Sequence, residues 1–176
     1  MLRRCLALAL LVVALAGCTK KAAKPQPPKP VTGTEVASFI EQQLSSKFNG
    51  LTVGSATCPA QLKLEQDKPE FCTIPIEGQP VRIRVQRAAN GLYSVANDQA
   101  VIPVAQLEEN MRAEASQKAG VPMLIDCGDR AVLIFDPPKT IQCVGSAPGR
   151  SSVTYDVTIS DAQGNFSFAE HRDSGG

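Results

Sequence analysis

The sequence predicts an α+β fold built from two similar units, each with one helix packed on a three- or four-stranded antiparallel sheet. Three observations support this prediction. Apolar residues recur at helical spacing early in each half, segments with alternating side chains follow, and each half carries one pair of cysteines. Helices and strands that follow one another in separate runs favour an antiparallel sheet covered by a helix on one face.

The first half predicts one helix and then strands. Apolar residues recur at three- and four-residue steps from Val36 to Phe48, which predicts a helix with Thr34 as its N-cap. Strands are expected around 52–58 and 71–76. Residues 81–85 alternate between apolar and basic side chains, which is typical of a strand buried on one face.

The second half predicts the same order of elements. The second helix carries a stripe of apolar residues and ends at Gly120: Val104, Leu107, Met111, Ala115. Strands are expected around 123–127, 132–135 and 140–144, and residues 153–159 again alternate. Residues 89–91 and 161–164 are expected to be hairpin turns.

The two halves are interpreted as a duplication because their features occur in the same order. Val36-Ala37 matches Val104-Ala105, the cysteine pairs and alternating strands follow, and each half closes on a glycine-led strand after residues 91 and 164. The predicted units are residues 35–101 and 102–171. Residues 172–176 form a tail that is expected to be disordered.

Four cysteines of these units are predicted to form two disulfides: Cys58, Cys72, Cys127, Cys143. Pairing within each unit is favoured because a duplication copies a local pair, although two other connectivities are formally possible. Such small units have marginal cores, and closing a loop of about 15 residues adds about 3 kcal/mol. Metal binding is the alternative, but the sequence has no Cys-x-x-Cys pair and one histidine, so neither a metal nor a cofactor is expected.

The N-terminal segment is predicted to be a signal peptide spanning residues 1–17. Arg3 and Arg4 precede an uncharged apolar run that is too short to cross a membrane, and small residues precede Cys18. The motif Leu15-Ala16-Gly17-Cys18 resembles the lipobox of bacterial lipoproteins. This resemblance implies lipid on Cys18 and an extracytoplasmic location at the bacterial cell envelope. The alternative is an ordinary secreted protein with a cysteine after the cleavage site.

Residues 18–34 are predicted to form a tether between the lipidated Cys18 and the first unit. The segment is rich in lysine and proline and contains almost nothing to bury. Proline favours the extended polyproline II conformation, so the tether would span about 40–50 Å at most. Its lysines either contact anionic lipid headgroups or keep a solvated linker soluble.

The first unit also resembles the small disulfide-bonded domain of unknown function found in bacterial lipoproteins. The resemblance rests on Cys58-Pro59, on Phe71-Cys72-Thr73 and on the strand at 81–85. The second unit departs from it, since Gly128 rather than proline follows Cys127. The resemblance implies a disulfide-bonded helix-plus-sheet module, and it carries no activity because that family has none established.

Charge and the inventory of reactive groups favour a protein without enzymatic activity. Six of the 18 basic residues lie in the first 34 positions, so the two units are mildly acidic and nucleic-acid binding is not expected. His171 lies close to the C-terminus, and the Glu108–Glu109 pair is expected on an exposed helix face. Asp126 and Asp129 lack the regular ligand spacing of a calcium loop.

Three arginines form the candidate binding residues: Arg82, Arg84, Arg87. Arg82 and Arg84 are expected to project from the sheet face opposite the helix, with Arg87 just beyond. There they either stay solvated or recognise an acidic protein, a glycan or a lipid group. The sequence thus favours a membrane-anchored binding or scaffolding module. The alternatives are a carrier with a small apolar ligand between helix and sheet, and an envelope enzyme with an unrecognised site.

Overall fold

The fold is that of a computed structural model, which describes residues 31–65, 68–88 and 92–172. The predicted signal peptide, Cys18, most of the tether, the turn at 89–91 and the tail from residue 173 lie outside these residues. Eleven strands and two helices follow along the described chain: β1 Val31–Thr32, α1 Gly33–Lys47, β2 Gln61–Leu62, β3 Glu70–Ile76, β4 Gln79–Arg87, β5 Tyr93–Asn97, β6 Ala100–Pro103, α2 Val104–Ala119, β7 Leu124–Asp126, β8 Val132–Phe135, β9 Lys139–Ser146, β10 Val153–Ile159, β11 Phe166–Glu170.

Helix α1 begins two residues earlier than the sequence suggested. Its N-cap is Thr32, not Thr34, because Thr32 and Glu35 form a capping box. The Thr32 hydroxyl oxygen accepts the backbone N–H of Glu35 at 3.3 Å, and the Glu35 carboxylate accepts the backbone N–H of Thr32 at 3.2 Å. The Thr-x-x-Glu spacing at 32–35 is a known signal of a helix start.

Helix α2 confirms the predicted stripe, since its buried residues are Val104, Leu107, Met111 and Ala115. The helix ends at Gly120, which adopts a left-handed φ of 69°. Its N-terminus has no side-chain cap because Pro103 occupies that position.

All strand pairs are antiparallel, as predicted, and the strands form several separate sheets. The order is β3-β4-β5 in a three-stranded sheet and β11-β10-β9-β7 in a four-stranded sheet, with β1-β2 and β6-β8 as two-stranded ladders. The prediction of a strand at 52–58 is wrong, since no continuous strand forms between α1 and β2. That segment lies beside β3, where it makes two isolated bridges, Val53–Ile76 and Thr57–Thr73, and further backbone hydrogen bonds from Gly54 to Pro75 and from Glu77 to Thr52.

Two hydrophobic cores share the β6–β8 ladder. The first core lies between α1 and the three-stranded sheet, and the second lies between α2 and the four-stranded sheet. Val101 and Val132 pack in the first core, whereas Ala100 and Ile102 pack in the second. Because successive side chains of a strand point to opposite sides, the ladder is a layer between the cores. The predicted boundary at 101/102 falls inside β6.

The two disulfides pair as the duplication suggested, Cys58 with Cys72 and Cys127 with Cys143, each with an Sγ–Sγ distance of 2.01 Å. In each half the second cysteine is buried on an inward-facing strand position, on β3 or β9. Each disulfide therefore ties the segment after the helix to the sheet that the helix covers.

Candidate functional site

The outer face of the three-stranded sheet carries the residues that the sequence predicted for binding. Strand β4 buries Val81, Ile83 and Val85 and turns Arg82 and Arg84 outward, as the alternation predicted. Strand β3 places Thr73 opposite Arg82 and Phe71 opposite Arg84. We call these four outward residues the arginine face: Phe71, Thr73, Arg82, Arg84.

Arg82 forms ion pairs with two carboxylates. Its Nε lies 2.5 Å from Oδ2 of Asp98, and its Nη2 lies 3.2 Å from Oδ1 of Asp136. The hydrogen bond to Asp98 is the main cause that raises the pKa of Arg82 above its usual value. Asp98 precedes β6 and Asp136 follows β8, and because Ala100 pairs with Phe135 both carboxylates lie at the same end of the shared ladder. Arg82 therefore clasps both strands of the ladder, at that end, to the first sheet.

Arg84 differs from Arg82 because part of its guanidinium is buried without a partner. Its Nε is buried and has no hydrogen-bond partner among the described residues. Phe71 lies opposite Arg84 on β3, and 42% of its surface is exposed. Its ring contacts the neighbouring arginine, since the guanidinium carbon of Arg82 lies 5.8 Å from the ring centroid. Phe71 and Arg84 together offer an apolar surface beside a guanidinium that can donate to a ligand oxygen.

Arg87 does not belong to the arginine face. Its position on β4 has the same parity as Ile83 and Val85, and its Nε donates to the carbonyl oxygen of Leu64 at 2.7 Å. The structure therefore brings Arg82 and Arg84 together and directs Arg87 toward the segment that follows β2.

The outer face of the four-stranded sheet is polar in a different way. His171 Nδ1 lies 2.8 Å from Oδ2 of Asp156, and Gln142 donates to Oδ1 of the same carboxylate at 3.2 Å. The hydrogen bond with His171, followed by that from Gln142, lowers the pKa of Asp156. The backbone N–H of His171 donates to Thr154, so this histidine continues the pairing of β11 with β10.

Two acidic residues named at the sequence level have local structural contacts. The expectation that Glu108 is exposed is wrong, because the residue is half-buried and its Oε1 accepts the backbone N–H of Cys127 at 2.8 Å. Asp126 accepts the N–H of Gly128, closing a turn beside the disulfide. Within the described ranges, no group of three or more His, Cys, Asp or Glu side chains is placed to hold a metal ion.

Concave surfaces lie beside both helices. A hollow of about 240 Å³ between α2 and the four-stranded sheet is lined by Met123, Tyr155 and Phe168, and burial raises the pKa of Tyr155. Its volume is below the roughly 300–1,000 Å³ that is typical of small-ligand pockets. An open groove of about 690 Å³ runs between α1 and β5, where no sequence pattern indicates a site.

No protein-family model, curated protein or solved structure matches this chain. The two resemblances noted from sequence motifs therefore stay predictions. In the part of the chain that the structure describes, neither helix has the length and apolar character needed to cross a membrane.

Proposed function

We propose that the protein is a lipid-anchored, extracytoplasmic module that binds or scaffolds another component of the bacterial cell envelope without catalysing a reaction. The lipobox-like motif ending at Cys18 supports the anchor, and the lysine- and proline-rich tether supports a folded part held away from the membrane. The resemblance of the first unit to a lipoprotein domain of unknown function agrees with this role.

We also propose that the folded part arose by duplication. The first N–H of each helix makes the same long-range bond, Gly33 to Ala60 and Val104 to Ala131, both at 3.1 Å and over the same number of residues. Cys72 follows Gly33 at the same distance along the chain as Cys143 follows Val104. These correspondences align Gly33, rather than Val36, with Val104.

The observation that supports the binding role is that Arg84 and Phe71 are cross-strand neighbours on the arginine face. The buried Nε of Arg84 has no hydrogen-bond partner among the described residues, and the guanidinium has further N–H groups that can donate to an oxygen acceptor of a partner. Exposed aromatic and arginine side chains are the residue types that dominate the energy of protein interfaces. We therefore infer a protein partner with a carboxylate or carbonyl beside an apolar group.

Site-specific crosslinking tests this role in the native cells. A photoreactive amino acid at position 71 should capture an envelope protein, and Arg84→Gln should reduce that yield several-fold. The matched control carries the same photoreactive group at Val144, which lies on the outer face of the other sheet and is 44% exposed compared with 42% for Phe71.

The control distinguishes specific capture from proximity at the membrane. Equal adducts from positions 71 and 144, or adducts from position 71 that Arg84→Gln does not change, would remove the arginine face as the binding site. Adducts with glycan alone would replace the protein partner by a polysaccharide. Arg82 is left intact because its substitution would also break the clasp to Asp98 and Asp136.

A further inference from the structure

Strand β5 is an edge strand that faces a groove. Among the described residues it pairs with β4 alone, and its partners Ile83 and Val85 place Asn97 and Val95 on the helix side of the sheet. An edge strand presents backbone N–H and C=O groups that another extended chain can pair with. The groove beside it belongs to the opposite side of the sheet from the arginine face.

The groove has two different ends. Phe39 of α1 stacks edge-to-face on Tyr93 at 5.7 Å between ring centroids, which marks one end. Lys47 and Gln163 line both the groove and the neighbouring hollow in front of β6, which marks the other end. Between these ends the apolar lining comes from α1 and β5, namely the almost fully buried Ile40 and Leu44 and the half-buried Val95.

Asn97 provides a polar group for recognition inside the groove. It lines the groove, and its Nδ2 is buried with no hydrogen-bond partner among the described residues. The Asn97 side chain as a whole is only half-buried, so rotation of its amide can present this donor to a carbonyl oxygen in the groove, and that bond would replace an unfavourable unmade one. The backbone of an extended peptide supplies such a carbonyl at every residue.

Lys47 gives the groove its charge. Of the described residues that line the groove, Lys47 alone is ionisable, so this lining is positive at the end near Gln163. An anionic group is complementary to that end. A chain terminus carries a carboxylate without a side chain, and capture of terminal carboxylates together with strand addition is an established mode of peptide recognition.

We propose that the α1–β5 groove binds the extended C-terminal segment of a second exported protein. The segment pairs with the free edge of β5 and packs alternate apolar side chains against α1. Asn97 donates to one of its backbone carbonyls, and its terminal carboxylate lies at Lys47. This site is additional to the arginine face, so each can be disproved without the other.

Peptide retention on the full-length protein in detergent micelles tests the proposal. The probe is a pool of randomised nonapeptides with free C-terminal carboxylates, compared with the same pool as C-terminal amides. Free acids should be retained several-fold better than amides, because only the carboxylate carries the charge that is complementary to the exposed Lys47. Mass spectrometry identifies the retained peptides, and one of them is then titrated.

Substitutions locate the binding to the groove. Lys47→Glu and Asn97→Leu should each weaken the titrated peptide about tenfold or more. Lys139→Glu makes the same charge change on the exposed surface of β9 and should leave affinity unchanged. Peptide binding should also slow hydrogen exchange of the Tyr93–Asn97 backbone amides, since strand addition protects the edge.

The possible outcomes are decisive. No retained peptide, equal retention of acids and amides, or unchanged binding by Lys47→Glu would overturn the proposal. Lys47 is exposed, so this variant keeps the test valid even if Asn97→Leu fails to fold. Phe71→Ser should leave peptide binding intact, which separates failure of the groove from failure of the arginine face.

Discussion

The two helices begin in contrasting ways. α1 starts with the Thr32–Glu35 capping box, and the ladder that precedes it, β1–β2, is two residues long. α2 starts after Pro103 without a side-chain cap, and its ladder, β6–β8, is four residues long and buried between two cores. Long-range strand pairing at α2 thus takes the place of the local hydrogen bonds that fix α1.

The hairpins show a related contrast. The β3–β4 turn needs only two residues, Glu77 and Gly78, which both adopt positive φ values of 48° and 73°. The β10–β11 turn is longer and is held by a side chain, because Asp161 accepts backbone N–H groups from Gln163 and Asn165 at 3.0 and 3.1 Å. The two halves therefore fix similar elements by backbone geometry in one place and by a carboxylate in another.

The largest effect should come from breaking the buried ladder. Val132 is fully buried in β8 and packs in the first core although it lies beyond α2 in the chain. Val132→Asp should lower the free energy of unfolding by more than about 4 kcal/mol, because it places a charge in an apolar layer. Urea denaturation measures the loss, and hydrogen exchange should show reduced protection in both sheets.

The matched control is Val144→Asp on the exposed face of β9. This change should cost about 1 kcal/mol or less, since Val144 remains 44% exposed and its side chain leaves the core unchanged. Similar losses in the two variants, or lost protection confined to one sheet, would contradict a ladder shared by both cores.

A smaller effect should follow from removing the cap of α1. Thr32→Ala deletes the hydroxyl that accepts the Glu35 N–H and should lower the free energy of unfolding by about 1 kcal/mol. Thr34→Ala makes the same substitution within the first turn and should change stability by less than about 0.5 kcal/mol. Denaturant midpoints of the two variants test this prediction. A larger loss of stability in Thr34→Ala than in Thr32→Ala would show that Thr34 is the N-cap, as the sequence suggested.

The smallest effect should be a loss of stability at low pH in the second half of the folded chain. Hydrogen bonds lower the pKa of Asp161, with Asn165 as the main cause, and lower that of Asp156, with His171 as the main cause. A lowered folded-state pKa stabilises the fold above the unfolded value and loses that contribution as pH falls through the folded one. The loss should therefore begin below about pH 4 and involve β10 and β11.

Carboxyl-carbon NMR titration measures both groups directly. Asp156 and Asp161 should titrate below the usual value of 3.8. His171→Ala should raise the midpoint of Asp156 and leave that of Asp161 unchanged. A titration of Asp156 that does not respond to His171→Ala would show that their contact does not persist in solution.

Much of the fold could be predicted because it depends on local patterns. The helix stripes, the alternating strands and the paired cysteines each leave a periodic or spaced signal along the chain. The ladder between the cores does not. Residues 100–102 are buried on both faces and show no alternation, so the pairing of β6 with β8 depends on contacts 29 to 35 residues away.

The site was harder to predict for the same reason. Alternation correctly turned Arg82 and Arg84 outward, but the carboxylates that hold Arg82 come from residues 98 and 136, which no local pattern connects to it. The same alternation could have shown that Arg87 faces the other way. Asn97 was missed, although a polar residue at an inward position of a strand is a signal of a buried contact or a ligand.

The shared ladder also bears on how such a protein changes over generations. If the two halves descend from one copied segment, strand β6 now contributes side chains to both hydrophobic cores. Dividing the gene before or after β6 would therefore leave one of the two products with an exposed hydrophobic core. The fused pair can therefore drift in sequence but cannot easily be separated again. The outer surface of one half can then change in sequence while the other half continues to cover the shared β6–β8 ladder.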